Sequence, residues 1–125
     1  MSDAAAYSTA LAEHRLRLER CGACGRHRVE PMPSCPWCGD PRTEAVDAAG
    51  TGRVYSWVTV HRAFDEAFAQ DVPYVIGAIE LDEECRVFAR VDAPPAAVTA
   101  GLDVTACYVD HRGWTELRFA PAEPR

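Results

Sequence analysis

The chain has 125 residues, a mass of 13.7 kDa and a formal net charge of −6, and 48% of its residues are hydrophobic. This composition is globular and excludes a disordered chain, while the length excludes a TIM barrel or a Rossmann domain joined to a substrate domain. All 13 basic residues are arginines, which excludes Schiff-base chemistry and a lysine-containing P-loop.

The negative charge lies mostly in the second half of the chain. Residues 1–50 carry a net charge of −1, and residues 51–125 carry −5. An acidic domain of this kind disfavours nucleic-acid binding, because neutralisation of phosphates supplies most of the non-specific affinity. No apolar run approaches the ~20 residues of a membrane span, and the N-terminus has no signal-peptide core, so we expect a cytoplasmic protein with reduced thiols.

The N-terminal segment, residues 1–19, predicts a helix over 3–19, because Ala, Leu, Glu and Arg dominate it. Tyr7, Leu11 and Leu18 fall on one face at helical spacing, which predicts packing on the body of the chain or on a partner. The end of the segment, RLRLER, also alternates as an extended strand would.

Residues 20–45 are the predicted zinc ribbon, and they contain two C-x-x-C pairs, each followed by a glycine and separated by ten residues. A C-x-x-C turn points both sulfurs at one ion, and the glycine takes the left-handed conformation that the turn requires. Two such turns facing each other complete a tetrahedral site, so we expect one structural metal ion per chain, with zinc favoured over iron of the rubredoxin kind. The predicted ligands are Cys21, Cys24, Cys35 and Cys38.

Residues 46–125 predict a barrel of five short strands, with a Pro-rich interruption at 93–101. A long connection between the first two strands and an interruption after the third are typical of an OB-type Greek-key barrel. We therefore expect a mainly β protein, with an N-terminal helix, a rubredoxin-like zinc ribbon and a five-stranded OB-fold barrel. The predicted strands are 52–61, 74–82, 85–92, 102–110 and 113–120.

We predict the role or the burial of three further residues of the barrel. Gly77, in the second predicted strand, is expected to permit the coiling that closes the barrel. Cys85 and Cys107 fall in predicted strands without belonging to a motif, and we expect both to be buried apolar thiols.

Outside the cysteine pairs, the most site-like residues end the first predicted strand and enter an acidic, aromatic loop over 63–74. One interpretation is contact with a partner molecule, since arginine and aromatic residues mark interaction sites and an arginine can hold a phosphate; the other is that the strand-end charges only pair with Asp65, Glu66 or Asp71 of the loop. No serine lies in a nucleophile-elbow motif, so no catalytic residue is predicted. The contact candidates are His61, Arg62, Phe64, Phe68 and Tyr74.

A zinc ribbon followed directly by an OB-type barrel resembles the DUF35 family of acyl-CoA-associated proteins. The resemblance covers nearly the whole chain. It is carried by C-G-A-C-G, P-x-P-S-C-P-W-C-G, G-T-G-R-V-Y-S-W-V-T-V-H-R over 50–62, V-P-Y-V-I-G-A-I-E-L over 72–81 and G-L-D-V over 101–104. The ribbon motifs occur in many proteins, whereas their combination with the 50–62 motif is specific. Where the family often has a Gly-Met pair this chain has Gly101-Leu102, a conservative apolar change.

The resemblance implies a non-catalytic accessory subunit of a thiolase-superfamily enzyme, either a thiolase or a retro-aldolase, that acts on CoA thioesters. It implies a separately encoded thiolase-like partner in a hetero-oligomer, whose substrate channel this chain stabilises, with acyl-CoA at the interface and steroid side-chain esters as the favoured substrates. From the residues alone, two alternatives stay open. One is a nucleic-acid-binding OB module with Tyr55, Trp57 and Trp114 as stacking residues, and the other is a rubredoxin-like redox protein.

Overall fold

The computed structural model describes residues 3–62 and 66–122. These residues form one helix, α1 (Asp3–Ala12), and two short 3-10 turns, Glu66–Phe68 and Pro95–Ala97. The strands are β1 (Arg17–Cys21), β2 (His27–Arg28), β3 (Thr43–Asp47), β4 (Thr51–Val60), β5 (Tyr74–Leu81), β6 (Arg86–Val91), β7 (Asp103–His111) and β8 (Trp114–Pro121). In this part of the chain, no helix has the length and apolar character needed to cross a bilayer.

The N-terminal helix is shorter than the predicted 3–19. It ends at Ala12, and His14 has a φ of 59°, a left-handed conformation of the kind that terminates helices. The end of the predicted helix is instead strand β1, and Leu16 and Leu18 are both buried because alternate residues of extended chain point to one side. The alternation in RLRLER therefore outweighs the helical propensity of its residues.

Strand β1 is the centre of a three-stranded antiparallel sheet with the order β2-β1-β3. All five residues of β1 pair with β3, and the two residues of β2 pair on its other side. The ribbon sheet therefore begins inside the segment predicted as helix and ends at Asp47, beyond the predicted ribbon limit at residue 45. Because β1 ends at Cys21, the sheet leads directly into the first predicted metal ligand.

The other five strands close into a barrel with the order β4-β5-β6-β8-β7, which confirms the predicted OB-type fold. Their observed limits differ from the predicted ones by one residue at most. Neighbouring strands are antiparallel except β6 and β8, which run parallel and pair only at Arg90↔Arg118 and Val91↔Phe119. The predicted Pro-rich interruption contains the turn Pro95–Ala97.

One hydrophobic core joins the ribbon sheet to the barrel. Leu16 and Leu18, from the ribbon side, belong to the same buried cluster as Val54, Ile79 and Phe119 of the barrel. Full burial of one such side chain stabilises a fold by about 1.5–3 kcal/mol. The stability of the ribbon and that of the barrel are therefore coupled through shared apolar contacts.

The two cysteines outside the C-x-x-C pairs differ in their surroundings. Cys85 is buried in the core, as predicted, although it lies in the turn before β6 rather than in a strand. Cys107 lies in β7 but is only half-buried, and its Sγ is 4.0 Å from a carboxylate oxygen of Asp92, so the expectation of a buried apolar thiol was wrong there. Desolvation raises the pKa of the Cys85 thiol to about 11 and also raises the pKa of Cys107, which makes both weak nucleophiles.

Two glycines of the barrel lie where a side chain has little room. A Cβ on Gly77 would meet methyl groups of Val91 and Ile79 at 3.0 and 3.2 Å, and methyl groups can shift. A Cβ on Gly52 would overlap the backbone carbonyl of Glu80, which is fixed in the neighbouring strand β5. The barrel therefore tolerates a side chain least at Gly52.

We expect Gly52→Ala to lower the free energy of unfolding more than Gly77→Ala does, with overpacking costs in the range of about 1–3 kcal/mol. Urea denaturation of the two variants measures the difference. Ser56→Ala, at an exposed position of the same strand β4, is the control and should change the free energy by less than about 0.5 kcal/mol. A larger loss at Gly77 than at Gly52 would contradict the steric ranking.

Candidate metal centre

The structure brings the four predicted ligand cysteines together. Their Sγ atoms all lie within 4.8 Å of one another. Between the two turns, the Sγ of Cys21 is 3.6 Å from that of Cys38, and the Sγ of Cys24 is 3.7 Å from that of Cys35. All four cysteines are free, and a disulfide would hold its two sulfurs at about 2.05 Å. The arrangement is a cluster of four thiols and not a pair of local disulfides.

Both C-x-x-C turns are closed by the same backbone geometry. Gly25 and Gly39, each following the second cysteine of its pair, have φ values of 78° and 80°, in the left-handed region as predicted. The N–H of Gly25 donates to the carbonyl of Cys21 at 3.1 Å, and the N–H of Gly39 donates to the carbonyl of Cys35 at 2.8 Å. Two turns of one shape therefore point their sulfurs at a common centre.

Backbone N–H groups also act on the thiols themselves. The Sγ of Cys21 accepts hydrogen bonds from the N–H groups of Cys24 and Ala23, each at 3.4 Å, and these bonds lower the pKa of the Cys21 thiol to about 6. The pKa of the Cys38 thiol is raised to about 11, because desolvation and the adjacent thiols outweigh the lowering effect of the Asp40 N–H. A dication supplies the charge that lets such crowded thiols ionise together.

The sulfur positions fit a tetrahedral metal ion. Zinc–thiolate bonds of about 2.3 Å place the sulfurs of a regular tetrahedron about 3.8 Å apart. The two Sγ–Sγ distances between the turns, 3.6 and 3.7 Å, are close to that value. Four thiolates are a donor set that both zinc and iron accept, and a site with four protein ligands has no open position for water or substrate. An ion held here would therefore be structural.

A buried ion pair that sequence reasoning missed lies in the sheet that leads into this centre. Glu19 of β1 and Arg28 of β2 face each other in the sheet, and the two residues are 2% and 4% exposed. The Nη2 group of Arg28 donates a hydrogen bond to Oε1 of Glu19 at 3.0 Å. The same nitrogen donates to the backbone carbonyl of Met32 at 3.3 Å. The pair thus connects the segment between the two cysteine pairs to the ribbon sheet. In the sequence, Glu19 has the appearance of a solvated residue at the end of a helix.

The other predicted contact residues lie between the end of β4 and the start of β5. His61 and Arg62 are exposed directly after β4, Phe68 is half-buried in the 3-10 turn, and Tyr74 is the half-buried first residue of β5. Phe64 lies outside the described residues. These residues therefore stay predictions as contacts with a partner or with CoA.

The alternative interpretation is that His61 and Arg62 only form ion pairs with carboxylates between β4 and β5. Asp71, one of the carboxylates considered for that role, instead pairs with Arg90 of β6 at 2.9 Å. The guanidinium of Arg90 also lies 4.6 Å from the ring centre of Tyr74. Asp71 thus fastens the connection to the barrel wall.

A second group of charges, also missed in the sequence, surrounds the junction of β6 and β8. Arg118 donates to Asp92 at 3.2 Å and to Glu116 at 2.9 Å, and Nε2 of His111 lies 2.8 Å from Glu116. Desolvation raises the pKa of Glu116, but the hydrogen bonds from Arg118 and His111 outweigh it and leave this pKa below its usual value. Arg118 thus lies beside two carboxylates, although its buried Nε has no hydrogen-bond partner among the described residues, and its bond to Asp92 links β8 to the end of β6 and helps to close the barrel.

Two family models together match most of the chain. The ChsH2 rubredoxin-like zinc ribbon domain matches residues 8–44, and the ChsH2 C-terminal OB-fold domain matches residues 45–109.

Two curated relatives are hydratase subunits. The chain is 35% identical over 125 residues to a probable enoyl-CoA hydratase alpha subunit of Thermomonospora curvata, covering 98% of this chain and 39% of the relative. It is 33% identical over 122 residues to the 3-oxo-4,17-pregnadiene-20-carboxyl-CoA hydratase alpha subunit of Mycobacterium tuberculosis, covering 97% and 38%. The chain therefore spans less than half the length of either protein.

A third relative is a thiolase subunit. The benzoylsuccinyl-CoA thiolase subunit BbsA of Thauera aromatica is 30% identical over 78 residues, covering 62% of this chain and 52% of the relative.

A solved structure described as an Ltp2-ChsH2(DUF35) aldolase contains a chain of the same fold. The similarity covers 95% of this chain and 94% of that one, with 34% identity and a TM-score of 0.85. The zinc ribbon and the closed five-stranded barrel occur in the order that the two family models give. The chain therefore belongs to the DUF35 family, with a ChsH2-type zinc ribbon followed by a ChsH2-type OB-fold domain.

Proposed function

We propose that this chain is a non-catalytic accessory subunit of a thiolase-superfamily enzyme that acts on CoA thioesters. The observation that carries the proposal is the similarity, at a TM-score of 0.85 over 95% of the chain, to a chain of an aldolase described as Ltp2-ChsH2(DUF35). Relatives named as hydratase alpha subunits and as a thiolase subunit support it, since each name is that of a subunit of an enzyme for a CoA thioester.

The organisation of the chain supports an accessory role. A metal ion with four cysteine ligands has no open coordination position and stabilises the fold instead of reacting. Charged side chains that are buried or half-buried, such as Glu19, Arg28 and Arg118, form ion pairs between neighbouring segments of the sheets. The chain would therefore stabilise its partner and complete that partner's substrate channel, while the reacting groups belong to the partner.

We propose zinc as the structural metal, with one ion per chain. The thiolate donors and their near-tetrahedral separations support this assignment. Iron is the alternative, and the absorbance spectrum of the purified protein distinguishes the two, since an iron–tetrathiolate protein is red and a zinc protein is colourless. The need for four reduced thiols supports a cytoplasmic location.

For the assembled enzyme, a steroid side-chain CoA ester is the proposed substrate class. The relative named as a 3-oxo-4,17-pregnadiene-20-carboxyl-CoA hydratase alpha subunit supports this choice, and the aldolase supports retro-aldol cleavage over acyl transfer. The proposed contacts with the partner or with CoA are His61, Arg62, Phe64, Phe68 and Tyr74.

We expect the chain to be inert alone toward CoA thioesters and to form a stable complex with the thiolase-like protein encoded beside it. Co-expression with an affinity tag on the partner only, followed by size-exclusion chromatography with light scattering, tests the complex. Mass spectrometry of a steroid side-chain CoA ester incubated with the chain, the partner or the complex tests the activity. Turnover by the chain alone would contradict a non-catalytic role, and separate elution of the two proteins would contradict the accessory role.

A further inference from the structure

Several outward-facing side chains of β4, β5 and β6 are apolar. The strand register places Phe88 beside Ala78, and Val58 beside Ile76, all on the outer side of the barrel. Tyr55 lies at an irregularity of β4 close to these residues. We name this surface the β4–β6 face; its accessible apolar residues are Tyr55, Val58, the half-buried Ile76 and Phe88, while Ala78, paired with Phe88, is only 7% exposed.

The β4–β6 face exposes large apolar side chains to solvent. Phe88 is 73% exposed, Val58 is 62% exposed and Tyr55 is 54% exposed. Single exposed apolar residues are common on protein surfaces, but several adjacent ones mark a surface that another molecule covers. The alternate residues of the same strands point inward and pack in the core. The outward-facing residues are therefore not needed for packing within the barrel.

Strand β4 adds an unpaired backbone edge to the face. It pairs with β7 only at residues 51–53, and Val54 adds hydrogen bonds to the residues just before β7. Residues 56–60 pair with β5, but no strand in the described ranges 3–62 and 66–122 pairs with their other side. Unpaired backbone N–H and C=O groups at a strand edge are satisfied best by another polypeptide backbone.

Arginines border the β4–β6 face. Arg53 and Arg86 both lie opposite Glu80 in the register, and Arg86 is 3.6 Å from that carboxylate. The guanidinium of Arg86 also stacks on the ring of Tyr55 at 3.7 Å, which holds both side chains on the face. The three charged side chains, Arg53, Arg86 and Glu80, sum to one positive charge on a chain of net charge −6. A border of this kind favours an occupant that carries carboxylates.

Aromatic rings and arginines are also found on OB surfaces that bind single-stranded nucleic acid. Here, however, Arg86 is near Glu80 and Arg90 is paired with Asp71, so the uncompensated positive charge is small. Residues 51–125 as a whole carry a net charge of −5, which repels a phosphate backbone. The charge suffices to orient a protein surface but not to hold a nucleic acid.

We infer that the β4–β6 face is the surface that docks the thiolase-like partner, through apolar side chains and a border of carboxylates on that partner. The inference rests on the proposed function. Exposed aromatic residues and arginines at one surface are the composition of interface hot spots.

Phe88→Glu tests the inference by placing a carboxylate at the centre of the β4–β6 face. The dissociation constant for the co-expressed thiolase-like protein, measured by biolayer interferometry, should rise at least about 30-fold. The matched control is Trp114→Glu, which changes a 51% exposed aromatic residue on β8, outside the face, and should leave the constant within about threefold. Circular dichroism checks that both variants keep the wild-type fold.

Hydrogen exchange of the wild-type complex gives a second readout that needs no variant. Backbone amides over 55–60 and in β6 should exchange more slowly with the partner bound.

The inference is overturned if Phe88→Glu and the wild type bind the partner with equal affinity, or if exchange over 55–60 does not change. Either result leaves the accessory function standing. If the wild type does not bind the partner, the proposed function and this inference both fail. If the wild type binds a fluorescein-labelled oligothymidylate and Phe88→Glu does not, the β4–β6 face would be assigned to nucleic acid instead.

Discussion

Replacing Cys35 with serine is expected to remove the bound metal and to unfold the ribbon. Cys35 is 3% exposed, and its Sγ lies 3.7 Å from that of Cys24 in the thiol cluster. A serine hydroxyl is a poor replacement for a soft thiolate ligand. Structural zinc contributes about 10–16 kcal/mol of apparent binding free energy in zinc-finger peptides, so loss of one of the four ligands should have a larger effect than a substitution elsewhere in the chain.

Metal analysis by mass spectrometry measures this effect directly, as the loss of about one equivalent of zinc per chain. The melting temperature of the whole chain should fall as well, because Leu18, on the strand that ends at the ligand Cys21, belongs to the same core as the barrel. Cys107→Ser is the control, since Cys107 is half-buried in β7 and lies outside the thiol cluster. An unchanged zinc content in Cys35→Ser would contradict the four-cysteine site.

Neutralising Glu19 is expected to have the second largest effect. The guanidinium of Arg28 is buried at 4% exposure, and its Nε and Nη1 have no hydrogen-bond partner in the described part of the chain. It therefore depends on Glu19, at 3.0 Å, for compensating charge. Removing one partner of a buried ion pair costs about 3–5 kcal/mol, and Glu19→Gln should lower the free energy of unfolding by that amount.

Urea denaturation at saturating zinc checks this prediction without loss of the metal. Glu44→Gln is the matched control, because it removes the partner of Arg20 in an exposed pair of the same sheet and should cost less than about 1 kcal/mol. The double variant Glu19→Leu/Arg28→Met should recover much of the loss, since neither charge is then buried. A cost for Glu19→Gln no greater than that of Glu44→Gln would show that the buried pair is not needed for stability.

The barrel strands were predictable from the sequence because each is a short β-rich run between turn residues, and the thiol cluster was predictable because C-x-x-C spacing is a local property. Strand β1 was not, since its pairing with Thr43–Asp47 is distant in sequence and its residues favour a helix when considered alone. The pairing of Glu19 with Arg28 depends on the same non-local register. The outward position of Phe88 is visible in the alternation of R-V-F-A-R-V, but a phenylalanine in a strand is ordinarily assigned to the core.

The short parallel junction between β6 and β8 has a consequence for the order in which the barrel forms. β8 pairs with β7 along a hairpin closed by a tight turn, but it joins β6 only at Arg90↔Arg118 and Val91↔Phe119. Hairpin contacts are local and form early, whereas a junction between segments distant in the chain must first overcome the entropy of loop closure. We therefore expect the β7–β8 hairpin to form before it docks onto β6, and this two-pair junction to be one of the places at which the native barrel opens transiently.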